Sequence, residues 1–456
     1  MKYEELKQKY PKFIYENYSY KISGNNLDIF FDFRIVPRQA RDNPERSRRV
    51  EPGIFFKPKV IIENVKKPQL ARMGNRVLNN LIFHIGLIEI PSYWKTTCSP
   101  EIEIRAGYLN KEQINWWRRL IINGMGQFFY ENKIDWRSKS FLTIKSPLET
   151  RSSSVLDKKL KNRCLVPFAG GRDSIVTLES LKKSANWRKE ISLFMVNPTE
   201  RILKTAKVSG IKNKIIVRRI VDKKLLELNK KGYLNGHTPF TALLSFLSVL
   251  GAVLLDYKNI VFSNEKSANE GNLKYLGKTI NHQWAKSSEF EKMFKNYCKK
   301  YLAKNLPAGR QGINYFSYLR KYGELEISKM FIKYPQYFSV FSSCNASMRI
   351  VGPPSLKLRR VKWCGNCPKC LFVYMTFYPF LEKKDLLKIF GRDIFNPSTS
   401  SGQEKLLAIM KALIGQGKPK PFECVGTKKE GRLALKLSLQ KAKKSGKVPF
   451  LLTKIK

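Results

Sequence analysis

The 456-residue chain contains no apolar run long enough to suggest a membrane helix. Its longest apolar stretch, residues 241–257, includes serine and glycine and is shorter than the ~20 residues that a bilayer span requires. Residues 1–13 contain neither an apolar segment nor a small-residue cleavage site, so we expect no secretory signal. These absences predict a cytosolic protein in which residues 241–257 form a buried helix.

Acidic residues are scarce. Asp and Glu together number 36 against 86 Lys and Arg, which gives a formal charge of +50. Such an excess attracts polyanions, and nucleic acid is one partner that it predicts. The basic residues are spread along the whole chain, however, so a generally basic, solvated surface explains the charge equally well. The hydrophobic content of 43% indicates a folded protein, and the length allows two or three domains.

Disulfides are not expected either. In a large chain without a secretory signal, a tight cysteine cluster favours metal binding over disulfides. Cys364, Cys367 and Cys370 in "WCGNCPKC", with Cys344 in "FSSCN", could close a tetrahedral zinc site. The same spacing is compatible with an iron–sulfur cluster or with reduced thiols that bind no metal.

The chain divides into three regions. Residues 1–150 alternate short β-like runs with one strong helix and predict an N-terminal α+β domain. Residues 160–395 alternate strands with helices, which predicts an α/β domain with a doubly wound parallel sheet. Residues 396–456 form a basic, partly helical C-terminal region.

The individual elements follow from hydrophobic periodicity. The expected helices are 110–132, which Asn110 can cap, and 174–183. The expected strands are 26–35, 59–65, 80–90, 163–168, 191–197, 213–221 and 259–265.

Three stretches interrupt this pattern: 43–52, 305–314 and 396–405. Each is rich in Pro, Gly, Ser, Arg or Gln and lies between periodic segments. We therefore predict surface loops or insertions there, without chemistry.

The stretch "LVPFAGGRDSIVTLESL", residues 165–181, is an apolar strand that ends in two glycines and continues as a helix. Gly170 and Gly171 would let the backbone approach a phosphate, and the amides and dipole of the helix N-terminus would attract its charge. Arg172 could add positive charge, Asp173 could hold Mg²⁺ or orient the loop, and Ser174 could donate a hydrogen bond. The pattern predicts a pyrophosphate site, with an ordinary strand–turn–helix as the alternative.

A second polar cluster follows the predicted strand 259–265. Ligands of open α/β sheets bind at the carboxyl ends of the strands, so this cluster lies on the side of the glycine-rich turn. It could hold Mg²⁺, ribose hydroxyls or a substrate amine, or it could be a capped, solvated turn. Its members are Asn264, Glu265, Asn269, Glu270 and Asn272, and the following segments add His282, Lys286 and Arg320 as candidate substrate contacts.

The motif "AGGRDS" resembles the Ser-Gly-Gly-x-Asp-Ser motif of the PP-loop ATP pyrophosphatases, with Ala169 where that family commonly has Ser. The resemblance implies a PP-loop (HUP-like) sheet that binds ATP and Mg²⁺ and cleaves ATP to AMP and pyrophosphate while it adenylates a substrate. We assign Asn264 and Glu265 to the same nucleotide site as the glycine-rich turn.

A narrower resemblance rests on several motifs in a fixed order. These are "HIGLIEIPSYWKTTCSPEIEIRAGYLNKEQINWWRRL", the glycine-rich turn, "SNEKSANEGN", "INHQWAKSSEFE", "SSCN", "WCGNCPKCLFVY" and "KPKPFECVGT". Together, over about residues 10–430, they resemble the UDP-N-acetylmuramoyl-L-alanyl-L-glutamate epimerases of bacterial peptidoglycan synthesis. The resemblance implies ATP-dependent inversion of the terminal L-glutamate of a UDP-linked muramoyl dipeptide, with release of AMP and pyrophosphate.

The chemistry of this reaction can be argued from the substrate. An α-proton beside an ionised carboxylate is very weakly acidic, and conversion of that carboxylate to an acyl-adenylate removes the charge. A general base can then take the proton, and an acid can return one to the other face. We name Asp173 for ATP cleavage, and Cys424, His282, Lys286 and His237 as candidates for proton transfer. Candidate substrate contacts are Asn269, Glu270, Asn272 and Arg320.

Two other functions remain open. One is a PP-loop enzyme of tRNA modification or 7-deazapurine synthesis, since the cysteine arrangement is similar to the zinc site of the 7-cyano-7-deazaguanine synthases. The N-terminal region has no recognisable RNA-binding signature, so nucleic acid is not favoured. The other is a non-catalytic scaffold, suggested by Ala169 but disfavoured by the retained Asp173 and Ser174.

Overall fold

A computed structural model describes residues 1–38, 53–147, 160–184, 190–302, 312–344 and 362–455. Within these ranges the chain is a mixed α/β protein built on one large sheet, so the predicted α/β class is confirmed. The predicted loop 43–52 and residues 305–311 of the predicted loop 305–314 lie outside the described residues.

Most of the strands join in one sheet, in the order β13-β10-β7-β8-β9-β4-β2-β1-β5-β6, with β3 paired to β2 and a separate β11-β12 hairpin. The strands are β1 Lys12–Ser23, β2 Asn26–Val36, β3 Ile54–Phe56, β4 Lys59–Glu63, β5 Glu101–Ile104, β6 Thr143–Lys145, β7 Lys161–Pro167, β8 Ile191–Val196, β9 Lys214–Ile220, β10 Tyr257–Phe262, β11 Leu273–Tyr275, β12 Lys278–Ile280 and β13 Asn314–Ser317.

Five of these strands, β9-β8-β7-β10-β13, are mutually parallel. The chain runs outward from β7 through β8 and β9, then crosses to the other side for β10 and β13. Leu165 of β7 therefore pairs with Ser192 on one side and Ile260 on the other. This reversal at β7 is the strand order of doubly wound sheets, which bind ligands just beyond the carboxyl ends of the strands at that point.

The N-terminal strands continue the same sheet rather than forming a separate one. A hairpin joins β1 and β2, β2 pairs with β4, and β4 pairs antiparallel with β9, with Ile62 opposite Val217. The α+β character predicted for residues 1–150 is present, and its strands are fused to the parallel ones. The division of the chain into domains stays a prediction.

The two faces of the parallel strands contribute to different hydrophobic cores. Leu165 belongs to a core that it shares with the buried N-terminal residues, whereas Val166, the next residue, belongs to a second core that includes Cys370. Successive side chains of a strand point to opposite faces, so both faces of β7 are covered. The carboxyl end of β7 thus lies between two packed layers.

Helices fill both layers. They are α1 Tyr3–Lys9, α2 Lys67–Met73, α3 Asn75–Trp94, α4 Lys111–Gly124, α5 Gly126–Glu131, α6 Arg172–Lys182, α7 Glu200–Val208, α8 Lys223–Lys230, α9 Phe240–Leu254, α10 Ser288–Tyr297, α11 Glu324–Phe331, α12 Pro368–Phe377, α13 Lys383–Phe390, α14 Ser400–Ile414, α15 Lys428–Lys444 and α16 Phe450–Thr453. Helix α9 confirms the buried helix predicted from residues 241–257, although it ends at Leu254 and Tyr257 begins β10. Among the described residues, none of the helices combines the length and hydropathy of a transmembrane segment.

Three local predictions are corrected. Residues 80–90, expected as a strand, lie inside α3, where every residue from 81 to 91 is buried. Because all sides of this segment are buried, its residues show no apolar–polar periodicity, and the sequence pattern cannot distinguish a helix from a strand. The helix expected over 110–132 is divided at Met125 into α4 and α5, although Asn110 caps it as predicted, accepting a 2.8 Å bond from the Gln113 amide. The loop expected over 396–405 ends early, because Thr399 caps α14, which begins at Ser400.

Candidate functional site

The glycine loop, residues 169–174, connects β7 to α6 at the point where the strand order reverses. Gly170 has a φ of +68°, a conformation that favours glycine, and a Cβ there would lie 3.3 Å from Thr205. Gly171 is the N-cap of α6, and a Cβ there would lie 3.1 Å from the Ser343 hydroxyl. The strand–turn–helix expected from the sequence is confirmed, and both glycines allow close backbone packing.

Arg172 points into the protein. Its side chain is 1% exposed; Nε and Nη2 lie 2.8 and 2.7 Å from Asp173 Oδ1, and Nη2 also contacts the carboxylate of Glu324. Nη1 donates to Ser328 Oγ at 3.2 Å. The guanidinium therefore holds Asp173 at the start of α6. Ser174 donates its hydroxyl to a carbonyl within the same loop.

A lysine–cysteine pair lies within electrostatic range of Asp173 in the glycine loop. Lys286 Nζ donates to Cys424 Sγ at 3.2 Å, and Lys369 donates to the Cys424 carbonyl. Lys286 follows β12 in a short 3₁₀ helix, Trp284–Lys286, and Cys424 lies in the loop between α14 and α15. Burial alone would lower the pKa of Lys286, but the neighbouring Cys424 and Glu265 raise it above its ordinary value. Lys286 thus keeps its positive charge against the sulfur.

The carboxyl groups of Asp173 and Glu265 both interact with Lys286 and Lys369, but their pKa values are shifted in opposite directions. Burial favours the protonated form of Asp173, but the charges of Arg172 and Lys369 outweigh it and lower its pKa. Burial raises the pKa of Glu265, and the nearby charge of Asp173 adds to this effect, against the opposing charge of Lys286. Asp173 is therefore the ionised member of the pair, and Glu265 takes up a proton more readily.

His282 is a buried, neutral histidine. The Oδ1 of Asn272 accepts from the His282 backbone amide at 3.0 Å and lies 2.9 Å from His282 Nδ1, while the Asn272 amide donates to the Pro421 carbonyl at 2.8 Å. These contacts assign the proton to Nδ1 and leave a lone pair on Nε2, which is buried and has no hydrogen-bond partner in the described part of the chain.

The two histidines of the site lie close together. The ring centroids of His237 and His282 are 6.2 Å apart. Burial lowers the pKa of His282 to about 2, with further lowering by His237 and Lys286, and burial lowers the pKa of His237 to about 4. Both rings are therefore neutral at physiological pH.

Arg320, predicted as a substrate contact, is engaged by the protein. Its Nη2 donates to the carboxylate of Glu291 at 2.8 Å and to the carbonyl of Lys286 at 2.7 Å. Its Nη1 donates to the carbonyl of Glu265 at 3.1 Å. Arg320 thus fixes the backbone of two residues of the site.

The remaining members of the polar cluster form hydrogen bonds with neighbouring elements of the fold. Asn269 is exposed and accepts a 2.8 Å bond from the first amide of α10. Glu270 accepts a 3.2 Å bond from the first amide of α15, and the Asn264 amide donates to Ser317 Oγ at 3.0 Å. Their predicted roles in substrate or nucleotide binding stay predictions.

The four predicted cysteines form one cluster. The sulfurs of Cys344, Cys364, Cys367 and Cys370 all lie within 4.8 Å of one another. Cys367 caps α12 and accepts a 3.4 Å bond from the Cys370 amide. Four thiols at this separation fit a tetrahedral metal site such as zinc. The clustering is confirmed, and the identity of the metal stays a prediction.

The cysteine cluster adjoins the glycine loop. Ser343, the residue before Cys344, lies with its hydroxyl 3.4 Å from the Arg172 amide and faces Gly171. Lys369, between two cysteines of the cluster, contacts the Cys424 carbonyl. The segments that carry the cysteines therefore also supply one side of the loop and one contact of the lysine–cysteine pair.

Sequence reasoning missed three residues of this site: Lys369, Glu324, and Lys420, whose charge acts on His282. The position of Lys369 between Cys367 and Cys370 is a signal that could have been used. Lys420 has no comparable signal among 86 basic residues, and Glu324 reaches Arg172 only through the tertiary fold.

Comparison with known proteins gives a consistent result along the chain. The family model of the MurL N-terminal domain matches residues 8–318, and that of the MurL C-terminal domain matches residues 340–453. The chain is 32% identical over 359 residues to a UDP-N-acetyl-alpha-D-muramoyl-L-alanyl-L-glutamate epimerase of Xanthomonas oryzae, covering 78% of this chain and 74% of the relative.

Two further relatives carry the same name. The protein of Salinispora tropica is 36% identical over 276 residues, which is 60% of this chain and 55% of the relative. That of a Micromonospora species is 36% identical over 275 residues, 60% of this chain and 56% of the relative. The alignments thus span just over half the length of these two proteins.

Proposed function

We propose, because the chain belongs to the MurL family, that it inverts the terminal L-glutamate of UDP-N-acetylmuramoyl-L-alanyl-L-glutamate to D-glutamate in peptidoglycan precursor synthesis. We further propose that the reaction consumes ATP and proceeds through an acyl-adenylate of the α-carboxylate. The observation that carries the mechanism is the Lys286–Cys424 pair, whose lysine interacts electrostatically with Asp173 of the glycine loop at the strand reversal.

The glycine loop is the proposed ATP site. A PP-loop sheet is supported by the strand order around β7, by the two glycines and by α6, whose N-terminus would face the phosphates. Arg172 acts indirectly in this proposal, because its guanidinium is occupied by Asp173 and Glu324. Asp173 and Glu265 are the carboxylates that would hold Mg²⁺, which would offset the charge of the departing pyrophosphate.

Formation of the adenylate would prepare the substrate for proton transfer. The α-carboxylate loses its negative charge, so the α-proton becomes acidic enough for removal by a side chain. The ammonium of Lys286 would stabilise the negative charge that develops at the carbonyl oxygen. Hydrolysis of the adenylate then releases AMP and the inverted product.

The ionisation of the free site suggests the direction of proton transfer. Neutral His282 carries a lone pair on Nε2 and is the proposed base for the L-substrate. Cys424, hydrogen-bonded to protonated Lys286, is the proposed acid that returns a proton to the other face. The low pKa of His282 owes part of its shift to Lys286 and Lys420, and a polyanionic substrate would offset these charges and make His282 more basic.

The proposal is tested by incubating the protein with ATP, Mg²⁺ and the L-glutamate-terminated substrate. We expect pyrophosphate and AMP together with D-glutamate in the hydrolysed product. Inversion without pyrophosphate would contradict the adenylate. Neither product, from folded protein that binds ATP, would instead favour the nucleoside or tRNA alternative, which salt-dependent RNA binding would then test.

A further inference from the structure

Lys420 is a buried cation that lacks a hydrogen-bond partner among the residues that the structure describes. The residue is 2% exposed, and its Nζ forms no hydrogen bond with any described residue. The carboxylate of Glu270 lies 3.5 Å from Nζ as an ion pair. Burial of an ammonium with unused hydrogen-bond donors is energetically unfavourable unless another group accepts those hydrogen bonds. Lys420 therefore has donors available for an anionic ligand.

The unpartnered atoms near Lys420 belong to the candidate site. The charge of Lys420 acts on His282, whose Nε2 is also buried and unpartnered within the described ranges. Gln283, the next residue, is 2% exposed and has both amide atoms unpartnered. Lys420 also lies four residues before Cys424 in the same loop. Among the described residues, two unpartnered polar groups, Lys420 Nζ and His282 Nε2, therefore interact with each other in the candidate site.

The position of Lys420 is fixed by the side chain that orients His282. The Asn272 amide donates to the carbonyls of Lys420 and Pro421 at 3.4 and 2.8 Å, while its oxygen holds His282. The Lys420 backbone and the His282 ring are therefore set relative to each other before any ligand binds. Such preorganisation is typical of a recognition site.

We propose that Lys420 binds the γ-carboxylate of the terminal glutamate and sets the preference for glutamate over its neutral amide analogue. The proposal rests on the proposed function. Once the α-carboxylate is adenylated, the γ-carboxylate is the remaining charge of the reacting residue, and it cannot be buried without a cation. Lys420 supplies that cation, and Cys424 in the same loop faces the α-carbon.

A phosphate oxygen of ATP or of the UDP group offers the same oxyanion chemistry as a carboxylate. The two sources are separated by kinetics, because loss of a γ-carboxylate contact changes the choice between glutamate and glutamine substrates. Loss of a phosphate contact weakens ATP binding, or weakens binding of both UDP-linked substrates equally.

The test measures kcat/KM for pyrophosphate release with UDP-muramoyl dipeptides that end in L-glutamate or L-glutamine. We expect wild type to prefer glutamate by about 100-fold or more, since a site built to bond a polar group rejects analogues that cannot pair with it. Lys420→Met should remove most of that preference by reducing activity on glutamate. Lys418→Met, at an exposed lysine two residues earlier, should retain the wild-type preference.

A second variant does not depend on the folding of Lys420→Met. Glu270→Gln keeps Lys420 but removes the carboxylate that forms an ion pair with it and would compete with the substrate carboxylate. KM for the glutamate substrate should therefore fall, while KM for ATP stays unchanged. A rise in KM for the glutamate substrate would overturn the proposal.

The outcomes separate this proposal from the proposed function. If wild type inverts neither substrate, the proposed function fails. If wild type inverts the glutamate substrate but Lys420→Met keeps the same preference, the role of Lys420 is overturned. If Lys420→Met keeps the preference and raises KM for ATP, Lys420 binds a phosphate instead.

Discussion

Lys286 Nζ lies 3.2 Å from Cys424 Sγ, although 138 positions separate the two residues in the chain. The contact joins the short helix after β12 to the loop between α14 and α15. The protonated lysine donates this hydrogen bond to the sulfur and so fixes the position of the thiol in the candidate site. This pair therefore provides the centre of the proposed proton-transfer chemistry.

Cys424→Ser should separate proton removal from inversion. With the L-substrate, ATP and D₂O, the variant should still release pyrophosphate and exchange the α-proton through His282. Formation of D-glutamate should fall by about 10²-fold or more, because the acid on the other face is lost. His282→Gln should lose both α-proton exchange and D-glutamate formation from the L-substrate, because proton removal precedes both. Mass spectrometry and chiral chromatography measure both.

A matched control is Cys298→Ala, which removes a buried thiol that no part of the proposed mechanism uses. It should retain exchange and inversion. Full inversion by Cys424→Ser would remove Cys424 from the mechanism.

Asp173→Asn should abolish ATP cleavage. Asp173 lies in the first turn of α6 with its carboxylate held by Arg172, and the proposal gives it the role of metal ligand. We expect pyrophosphate release to fall by at least about 10²-fold, the usual loss when a preorganised electrostatic contact is removed. Asp32→Asn, at a half-exposed carboxylate of the N-terminal sheet, serves as the control. Near-normal release by Asp173→Asn would contradict the assignment of the glycine loop.

Arg172→Met should destabilise the fold. The guanidinium and the Glu324 carboxylate are both 1% exposed, so removal of the arginine leaves a buried charge without its partner. Breaking such a pair costs about 3–5 kcal/mol, which urea unfolding would measure as a lower free energy of unfolding. Arg172→Met combined with Glu324→Gln should recover part of the loss. Equal stability of the single and double variants would show that the pair is not the cause.

The elements around the glycine loop were predictable because local signals agree there. Two glycines, a preceding apolar strand and a following helix leave few alternatives, and β7 and α6 lie where expected. Residues 80–90 were not predictable in the same way. Their isoleucines favour a strand, but these residues belong to the 20-residue helix α3, which is buried on all sides along this segment.

The candidate site was predictable only in part. The four cysteines share a compact motif, so their clustering could be predicted from spacing. Lys420 is one of 86 basic residues, and its isolation from water depends on how the loop before α15 packs. Arg320 was chosen for its charge, but its partners are Glu291 and two backbone carbonyls that only the fold brings near.

Loss of the metal proposed for the cysteine cluster should weaken the proposed ATP binding as well as the stability of the fold. We expect about one zinc per chain by elemental analysis, and loss of that metal in Cys344→Ser. Ser343 contacts the glycine loop, so release of this segment should raise the Kd for ATP by at least about tenfold, or ~1.4 kcal/mol. Cys298→Ala should keep the metal. If Cys344→Ser lacks the metal but binds ATP with unchanged affinity, the cysteine cluster does not support the glycine loop.

Acid should destabilise the protein through its neutral histidines, and His84 shows this most simply. His84 Nδ1 donates to the Asn80 carbonyl at 2.7 Å, and Nε2 lies 2.9 Å from the Tyr297 hydroxyl. That hydroxyl accepts from Gln113 and Trp117, so its own proton is directed to Nε2. The ring is therefore held neutral, and burial lowers its pKa to about 4.

The direction of the pH dependence follows from the two states. Above about pH 6.5, the usual histidine pKa, neither the folded nor the unfolded chain protonates this ring. Between about pH 6.5 and 4 the unfolded chain takes up the proton and the folded chain does not, so stability falls as the pH falls, by up to about 1.4 kcal/mol per pH unit. His84→Gln should make the free energy of unfolding less dependent on pH by about one proton, measured by urea unfolding at pH 7, 6 and 5. Parallel curves for variant and wild type would show that His84 is protonated in the folded protein.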